Sequence, residues 1–174
     1  MKPNQHRGAF LAGTLAVLGA ATLVVLFLVQ ELPQPVWVWV AFAAAFVSLE
    51  FFSVEVSDRL YVSGSIMAAF TAAVVFGRNS AALAVGIMAA LAALHPDDLR
   101  QRSWRRPAVN FGQLVLSATA GILVFLPFLP TAAVTADDLP LLAVGAALAA
   151  AVYDWVNFRL VRFIVRRLYP ERTL

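Results

Sequence analysis

Cysteine is absent from this chain and charge is scarce: only 13% of its 174 residues are Asp, Glu, Lys or Arg. Without cysteine there are no disulfides, no thiolate metal ligands and no cysteine nucleophile, so the redox compartment leaves no mark. The low charge excludes more. Soluble domains carry about 25% charged and roughly 45–50% apolar residues, whereas this chain is 61% hydrophobic with a mean hydropathy of +0.81. A soluble fold of this length could not hide that much apolar surface, and a bilayer removes the need to. Catalytic patterns are missing too. There is no HExxH, no G-x-S-x-G, no P-loop and no acidic pair at metal spacing within a helix. No catalytic residue, metal or cofactor is expected, and the chain does not read as an enzyme.

The net charge of +3 and the pI near 10.0 would suit nucleic acid in a soluble protein. Here the basic residues cluster beside apolar runs, with no basic groove interleaved with aromatics. The expected partner is the anionic cytoplasmic face of a lipid bilayer, and nucleic acid is not expected.

Apolar stretches of about 17–25 residues can cross a hydrocarbon core of ~30 Å. Six candidates follow one another at 8–30, 36–52, 64–76, 81–94, 108–126 and 140–158, with a basic tail at 159–174. The expected fold is all-α: one domain, a polytopic bundle of six transmembrane helices in the cell membrane. Lys2 and Arg7 precede a first run too long for a signal-peptide core, and no cleavage site follows it, so it reads as a retained helix. Trp37 and Trp39 suit an interfacial aromatic belt at the start of the second run. The segment 53–63 alternates apolar and polar residues and reads as an extended loop or hairpin. Gly77 predicts a helix C-cap, and Asn79 or Ser80 the next N-cap. The fourth run is short and rich in Ala and Gly, which suits a tilted, partly re-entrant or closely packed helix. Pro107 stands where the fifth helix can begin.

The basic residues orient this arrangement. With six spans and the N-terminus inside, Lys2, Arg7, Arg59, Arg100, Arg102, Arg105, Arg106, Arg159, Arg162, Arg166, Arg167 and Arg172 are cytoplasmic, twelve of thirteen, and Arg78 alone is outside. Such asymmetry predicts both termini in the cytoplasm.

Few polar residues fall within the runs. Glu50 stands fifteen residues past Pro35 and Asp154 fourteen past Pro140, which puts both about 21–23 Å below the outer surface. Asn110 and Gln113 lie at the cytoplasmic start of the fifth helix. Asn110, Gln113 and Ser117 share one face; Tyr153, Asp154 and Asn157 lie near one another on the sixth helix. Glu50, Asn110, Gln113, Tyr153, Asp154 and Asn157 therefore form a candidate ligand site at one depth, because polar side chains in hydrocarbon face the bundle interior and find partners. The competing reading is structural. Amides in membrane bundles also serve as interhelical glue worth about 0.6 kcal/mol, and Glu50 and Asp154 could pair with Arg59, Arg159 or Arg162.

Two further groups stand out. His95, Asp97 and Asp98 could be read as metal ligands, but His-Pro-Asp-Asp equally suits a helix end and turn. Arg102, Trp104, Arg105 and Arg106, with Arg159, Arg162, Arg166 and Arg167 of the tail, form candidate contacts for anionic lipid or a protein partner; topology alone explains them equally well. In the tail, Leu160, Phe163, Ile164 and Leu168 recur at helical spacing, as in a snorkelling extension or a stalk.

The run Tyr61-Val-Ser-Gly-Ser-Ile-Met-Ala-Ala-Phe, the segment Trp104-Arg-Arg-Pro-Ala-Val-Asn-Phe-Gly-Gln113 and Val152-Tyr-Asp-Trp-Val-Asn157 resemble a bacterial multispan sensory domain. Such domains typically stand N-terminal to cyclic-dinucleotide signalling modules of the HD-GYP and GGDEF kinds. A pattern like W-R-x-x-x-F-N-x-x-Q opens one of their helices; Trp104, Arg105, Asn110 and Gln113 match it, while Val109 replaces the Phe. The resemblance covers about 61–157 and implies a membrane-embedded ligand-binding or sensory module that signals to a cytoplasmic partner. This chain, which carries no effector domain, would be a truncated sensor or a stand-alone relative. The size and layout also resemble the substrate-binding S-components of energy-coupling-factor transporters, which bind a small molecule between helices and dock through small-residue faces; the first and fourth helices would suit such docking. A non-catalytic accessory subunit of a membrane complex is the third reading.

Overall fold

The computed structural model describes residues 3–52, 54–57, 60–62, 64–95, 98, 100 and 104–168, with the backbone alone for 3–7, 54–57, 60–62 and 168. Of the residues singled out above, Asp97, Arg102 and the tail end 169–174 lie outside the described residues, as do the side chains of Lys2, Arg7 and Arg59.

The architecture is all-helical apart from one small hairpin. The helices are α1 (Pro3–Val29), α2 (Val36–Phe51), α3 (Ser65–Phe76), α4 (Ala81–Ala92), α5 (Arg105–Phe125) and α6 (Leu139–Leu168). Between α2 and α3, β1 (Val54–Ser57) pairs antiparallel with β2 (Leu60–Val62), Val54 opposite Val62 and Glu55 opposite Tyr61. Within the alternating pattern the described residues 54–57 and 60–62 thus pair as two antiparallel strands, and α3 starts beside the end of α2. Short 3-10 turns at Leu126–Phe128 and Ala136–Asp138 bracket the link from α5 to α6.

Three helical segments are long and apolar enough to cross a membrane: Gly8–Val29, Arg105–Phe128 and Ala136–Arg167. This marks a membrane-associated chain. The second, third and fourth runs form shorter apolar helices. At ~1.5 Å per residue, the 12 residues of α3 and of α4 reach about 18 Å. The sixth run does not stop at 158: α6 continues without a break through the arginines to Leu168.

Burial explains why so short a helix as α4 sits in the centre. α4 is apolar on every face, and a helix apolar all round is a buried one. Ala81, Ala82, Leu83, Ala84, Val85, Met88 and Ala89 are all fully buried, with α1, α2, α3 and α5 packed around them. Small side chains let these neighbours approach closely. Phe46, Phe125, Ile122 and Leu129 fill the remaining space, and Phe70 meets Phe125 with ring centres 5.1 Å apart. The close packing of the fourth run is therefore observed, but as the core rather than a docking face.

The tightest crossing joins α1 to α5. A Cβ on Gly112 would run into the Leu15 carbonyl, and one on Gly19 would stand 3.0 Å from the Gly112 Cα. Only glycine lets these two backbones touch. Much of the other side of α1 is bare, with Phe10, Val17, Val24, Phe27 and Leu28 all exposed, a surface that suits lipid.

The helix ends collect at two levels. At one, the end of α1, the α3–α4 turn and the end of α5 meet. Gly77 turns the chain with φ +69° and its N–H donates to the Ala73 carbonyl, a conformation that glycine adopts without steric cost. It caps α3 as its position predicts. Ser80 precedes α4 but makes no capping bond. Gln30 of the α1 end does that work instead: its Oε1 accepts from the Leu83 N–H at 2.9 Å, and its Nε2 donates to the Arg78 carbonyl at 3.1 Å. Arg78 in turn donates through Nε to the Leu129 carbonyl at 2.7 Å and through Nη2 to that of Pro127 at 2.8 Å. The one arginine that breaks the charge asymmetry is the group that fastens the α3–α4 turn to the end of α5. At the opposite level the ends of α2 and α4 meet the starts of α3 and α5.

Candidate ligand site

That opposite end holds a hollow of about 370 Å³, lined by Glu50, Phe51, Ala92, His95, Asp98, Arg106, Asn110, Gln113 and Leu114. Each element supplies its part for a local reason. Glu50 sits in the last turn of α2, where the hairpin brings α3 back, and the buried Ser65 hydroxyl donates to Glu50 Oε2 at 2.6 Å. His95 follows the end of α4 and meets the edge of Phe51 with ring centres 4.8 Å apart. The Asp98 N–H donates to the His95 carbonyl at 3.1 Å, and the nearly buried Asp98 carboxylate lies 3.8 Å from the exposed Arg106 guanidinium. Pro107 is accommodated in the first turn of α5, where backbone N–H groups have no helical acceptor. Asn110 and Gln113 then follow one turn apart.

Gln113 also reaches across to α6. Its Nε2 donates to Asn157 Oδ1 at 2.7 Å. One turn earlier Tyr153 is half-buried against the core. Gly121 keeps α5 and α6 close here, since a Cβ on it would stand 3.1 Å from the Tyr153 Cβ.

Of the six residues expected at the site, Glu50, Asn110 and Gln113 line the hollow, Asn157 is tied to Gln113, and Tyr153 is packed against the core beside Gly121. Asp154 goes elsewhere: it is exposed on the outer side of α6. Its i, i+3 spacing to Asn157 does not bring it inward, because Asn157 sits at the edge of the buried face and Asp154 beyond it. Ser117 continues the α5 stripe into the core, fully buried and with no hydrogen-bond partner for its hydroxyl among the described residues. Trp104, Arg105 and Arg106 are exposed around the start of α5. In the tail, Arg166 and Arg167 are exposed and Arg162 is half-buried; Arg159 lies over Trp155 at 5.4 Å and Arg167 over Phe163 at 5.5 Å.

No family model, curated protein or solved structure matches the chain. The site is read from its own chemistry. Ser65 and Phe51 join it without a sequence signal of their own: Ser65 stands behind Glu50 and holds it, and Phe51 lines the hollow. His95 and Asp98, which also suit a metal site in the sequence, are placed by the end of α4 as wall residues of the hollow. Among the described residues no three His, Asp or Glu side chains gather as a metal cluster would require.

A larger hollow lies at the other end, about 680 Å³ between 74–80 and 130–134. Its one basic group, Arg78, is already committed to two carbonyls, and most of its wall is turn backbone and small side chains. The smaller hollow offers two carboxylates, an imidazole, two amides and a guanidinium at its rim. Its volume falls within the roughly 300–1,000 Å³ usual for small-molecule sites, and its groups can both donate to and accept from one polar molecule.

Proposed function

We propose that the chain is a membrane-embedded sensory module that binds a small polar molecule at the cytoplasmic end of its bundle and passes the change along α6 to a cytoplasmic partner. The observation that carries this reading is the Gln113–Asn157 hydrogen bond. It ties the wall of the polar hollow to the one helix that continues beyond the bundle. A ligand that competes for Gln113 changes the α5–α6 contact, and α6 presents that change as far as Leu168.

The proposed topology has six passes with both termini cytoplasmic. The grouping of helix ends supports it, since alternate connections meet at the same level and Arg78 stands apart from the other described basic residues. The short α3 and α4 are compatible with it: α4 is sheathed by protein, so its polar ends need not reach the full width of the lipid. The module is non-catalytic in this reading. Docking as an S-component through both α1 and α4 is disfavoured because α1, α2, α3 and α5 already cover α4, which leaves only the bare face of α1 for it.

Native mass spectrometry of the detergent-purified protein tests the site. A co-purified small molecule is expected, and Gln113→Ala and Glu50→Gln should each release it. A protein carrying no small molecule, or one whose bound molecule both variants retain, refutes the proposal. Reporter fusions after Pro33, Arg78 and Ala133 should report the outer side, and those after Arg100 and Leu174 the cytoplasm.

A further inference from the structure

α1 and α6 are both poorly covered, with 22% and 17% of their most apolar windows buried, against 50% for α5. Lipid accounts for α1, whose bare face carries no charge from Gly8 to Val29. It does not account for α6. Asp154 is exposed there, fourteen residues past Pro140, and makes no hydrogen bond or ion pair among the described residues. A carboxylate at the bilayer centre costs roughly 2.5–3.5 kcal/mol on insertion scales, and charged groups within a span usually pair with one another, so a counter-charge beside it is favoured.

The pattern around Asp154 says which partner. Leu141, Val144, Leu148, Ala151, Trp155 and Phe158 follow one another at alternating steps of three and four, which is the a/d seam of a heptad repeat. All six are exposed. In that register Asp154 falls at g and Arg159 at e, on opposite flanks of the seam and about 140° apart around the helix. Parallel two-stranded coils pair the g residue of one helix with the e residue five positions on in the other. Five positions separate Asp154 from Arg159. Side chains on a helix lean towards its N-terminus, and the Arg159 guanidinium does lie back over Trp155, 5.4 Å from the ring centre. It is therefore held close to the level of Asp154. The seam ends where Arg162 takes the next a position.

We propose that α6 pairs in parallel with α6 of a second copy of this chain along this seam, with two reciprocal Asp154–Arg159 ion pairs across it. One helix carries both charges, so a two-fold axis along the membrane normal satisfies both at once. The proposal goes beyond the ligand site and uses none of it. The lipid setting of α6 and the parallel direction rest on the topology above, because copies inserted the same way pair side by side in parallel.

The absence of native cysteine makes the test clean. Single variants Leu148→Cys, Ala151→Cys and Val24→Cys are oxidised in native membranes and the covalent dimer is read on a gel. The α6 positions should cross-link several-fold more than Val24→Cys on the bare face of α1. In the Ala151→Cys background, Asp154→Arg or Arg159→Asp alone should cut cross-linking several-fold, and the two together should restore it. Equal cross-linking on α1 and α6, none at either α6 position, or a charge swap that fails to rescue overturns the pairing. Leu141→Cys and Phe158→Cys cross-linking only in a mixed sample would mean an antiparallel pair and overturn the direction. A wrong topology shows separately, as misplaced reporter fusions with α6 cross-links intact.

Discussion

The two ends of the bundle use polar groups in opposite ways. At the clamped end the two long polar side chains that link the helices, Gln30 and Arg78, bond to backbone. Gln30 uses both sides of its amide, and Arg78 satisfies two carbonyls at the end of α5. At the other end Glu50, His95, Asn110 and Gln113 surround a hollow, and their bonds run mainly between side chains, as from Ser65 to Glu50 and from Gln113 to Asn157. A side chain bonded to backbone fixes a helix end. A side chain facing a hollow keeps donor and acceptor capacity for something else. The difference separates a structural polar cluster from a functional one, although both read alike as scattered polar residues in an apolar sequence.

The strongest test of this division attacks the scaffold that both ends share. Gly112→Val should be the most damaging substitution, because its side chain would meet the Leu15 backbone rather than a movable side chain. Overpacking that forces backbone shifts costs typically 1–3 kcal/mol, occasionally more. The melting temperature of the detergent-solubilised protein should fall further than for any other variant here, or the protein should fail to accumulate. Next comes the clamp. Arg78→Ala leaves the Leu129 and Pro127 carbonyls without their donor, and hydrogen bonds involving a charged group contribute about 1.5–3 kcal/mol. The exposure of Arg78 puts the expected loss at the low end of that range. Gln30→Ala removes the side-chain cap of α4 at Leu83 and should cost about 1 kcal/mol. Asn110→Ala, at the hollow, should stay within about 0.5 kcal/mol of the parent, since no bond of the scaffold depends on it. If Asn110→Ala and Arg78→Ala destabilise equally, the contrast between the ends collapses.

Much of this was legible in the sequence. Apolar runs located the helices, alternation located the hairpin, and Gly77 marked its turn, because each depends on local periodicity or backbone freedom. Glu50, Asn110 and Gln113 were legible as a cluster because depth along a helix follows from counting residues. Rotation about the helix was harder to read. Asp154 and Asn157 share a nominal face at i, i+3, yet the buried side of α6 includes Asn157 and stops short of Asp154. The role of α4 was hidden for a related reason. Twelve small apolar residues suit a docking surface and a core equally, and only the packing of four helices around it decides. Arg78 and Gln30 were invisible as a pair, because their bonds join residues 48 and more positions apart.

The smallest expected effect lies at the clamped end, just before α6. Asp138 closes the 3-10 turn that starts that helix: its Oδ2 accepts from the Thr135 N–H and the Thr135 hydroxyl, both at 2.8 Å. The bond from the Thr135 backbone, then that from its hydroxyl, hold the Asp138 carboxyl below its ordinary pKa. A group with a depressed folded pKa binds its proton more readily when unfolded. Its contribution is therefore fully present above the unfolded value of about 3.9 and is lost as pH falls through the lower folded value. Between pH 7 and pH 5 the melting temperatures of the parent and Asp138→Asn should run parallel, the variant slightly lower. Below pH 4 the gap should close, because protonation removes from the parent what the substitution already removed. A gap that persists unchanged at pH 3 would show that the carboxylate is not what caps the turn, and the clamped end would then owe its stability to Gln30 and Arg78 alone.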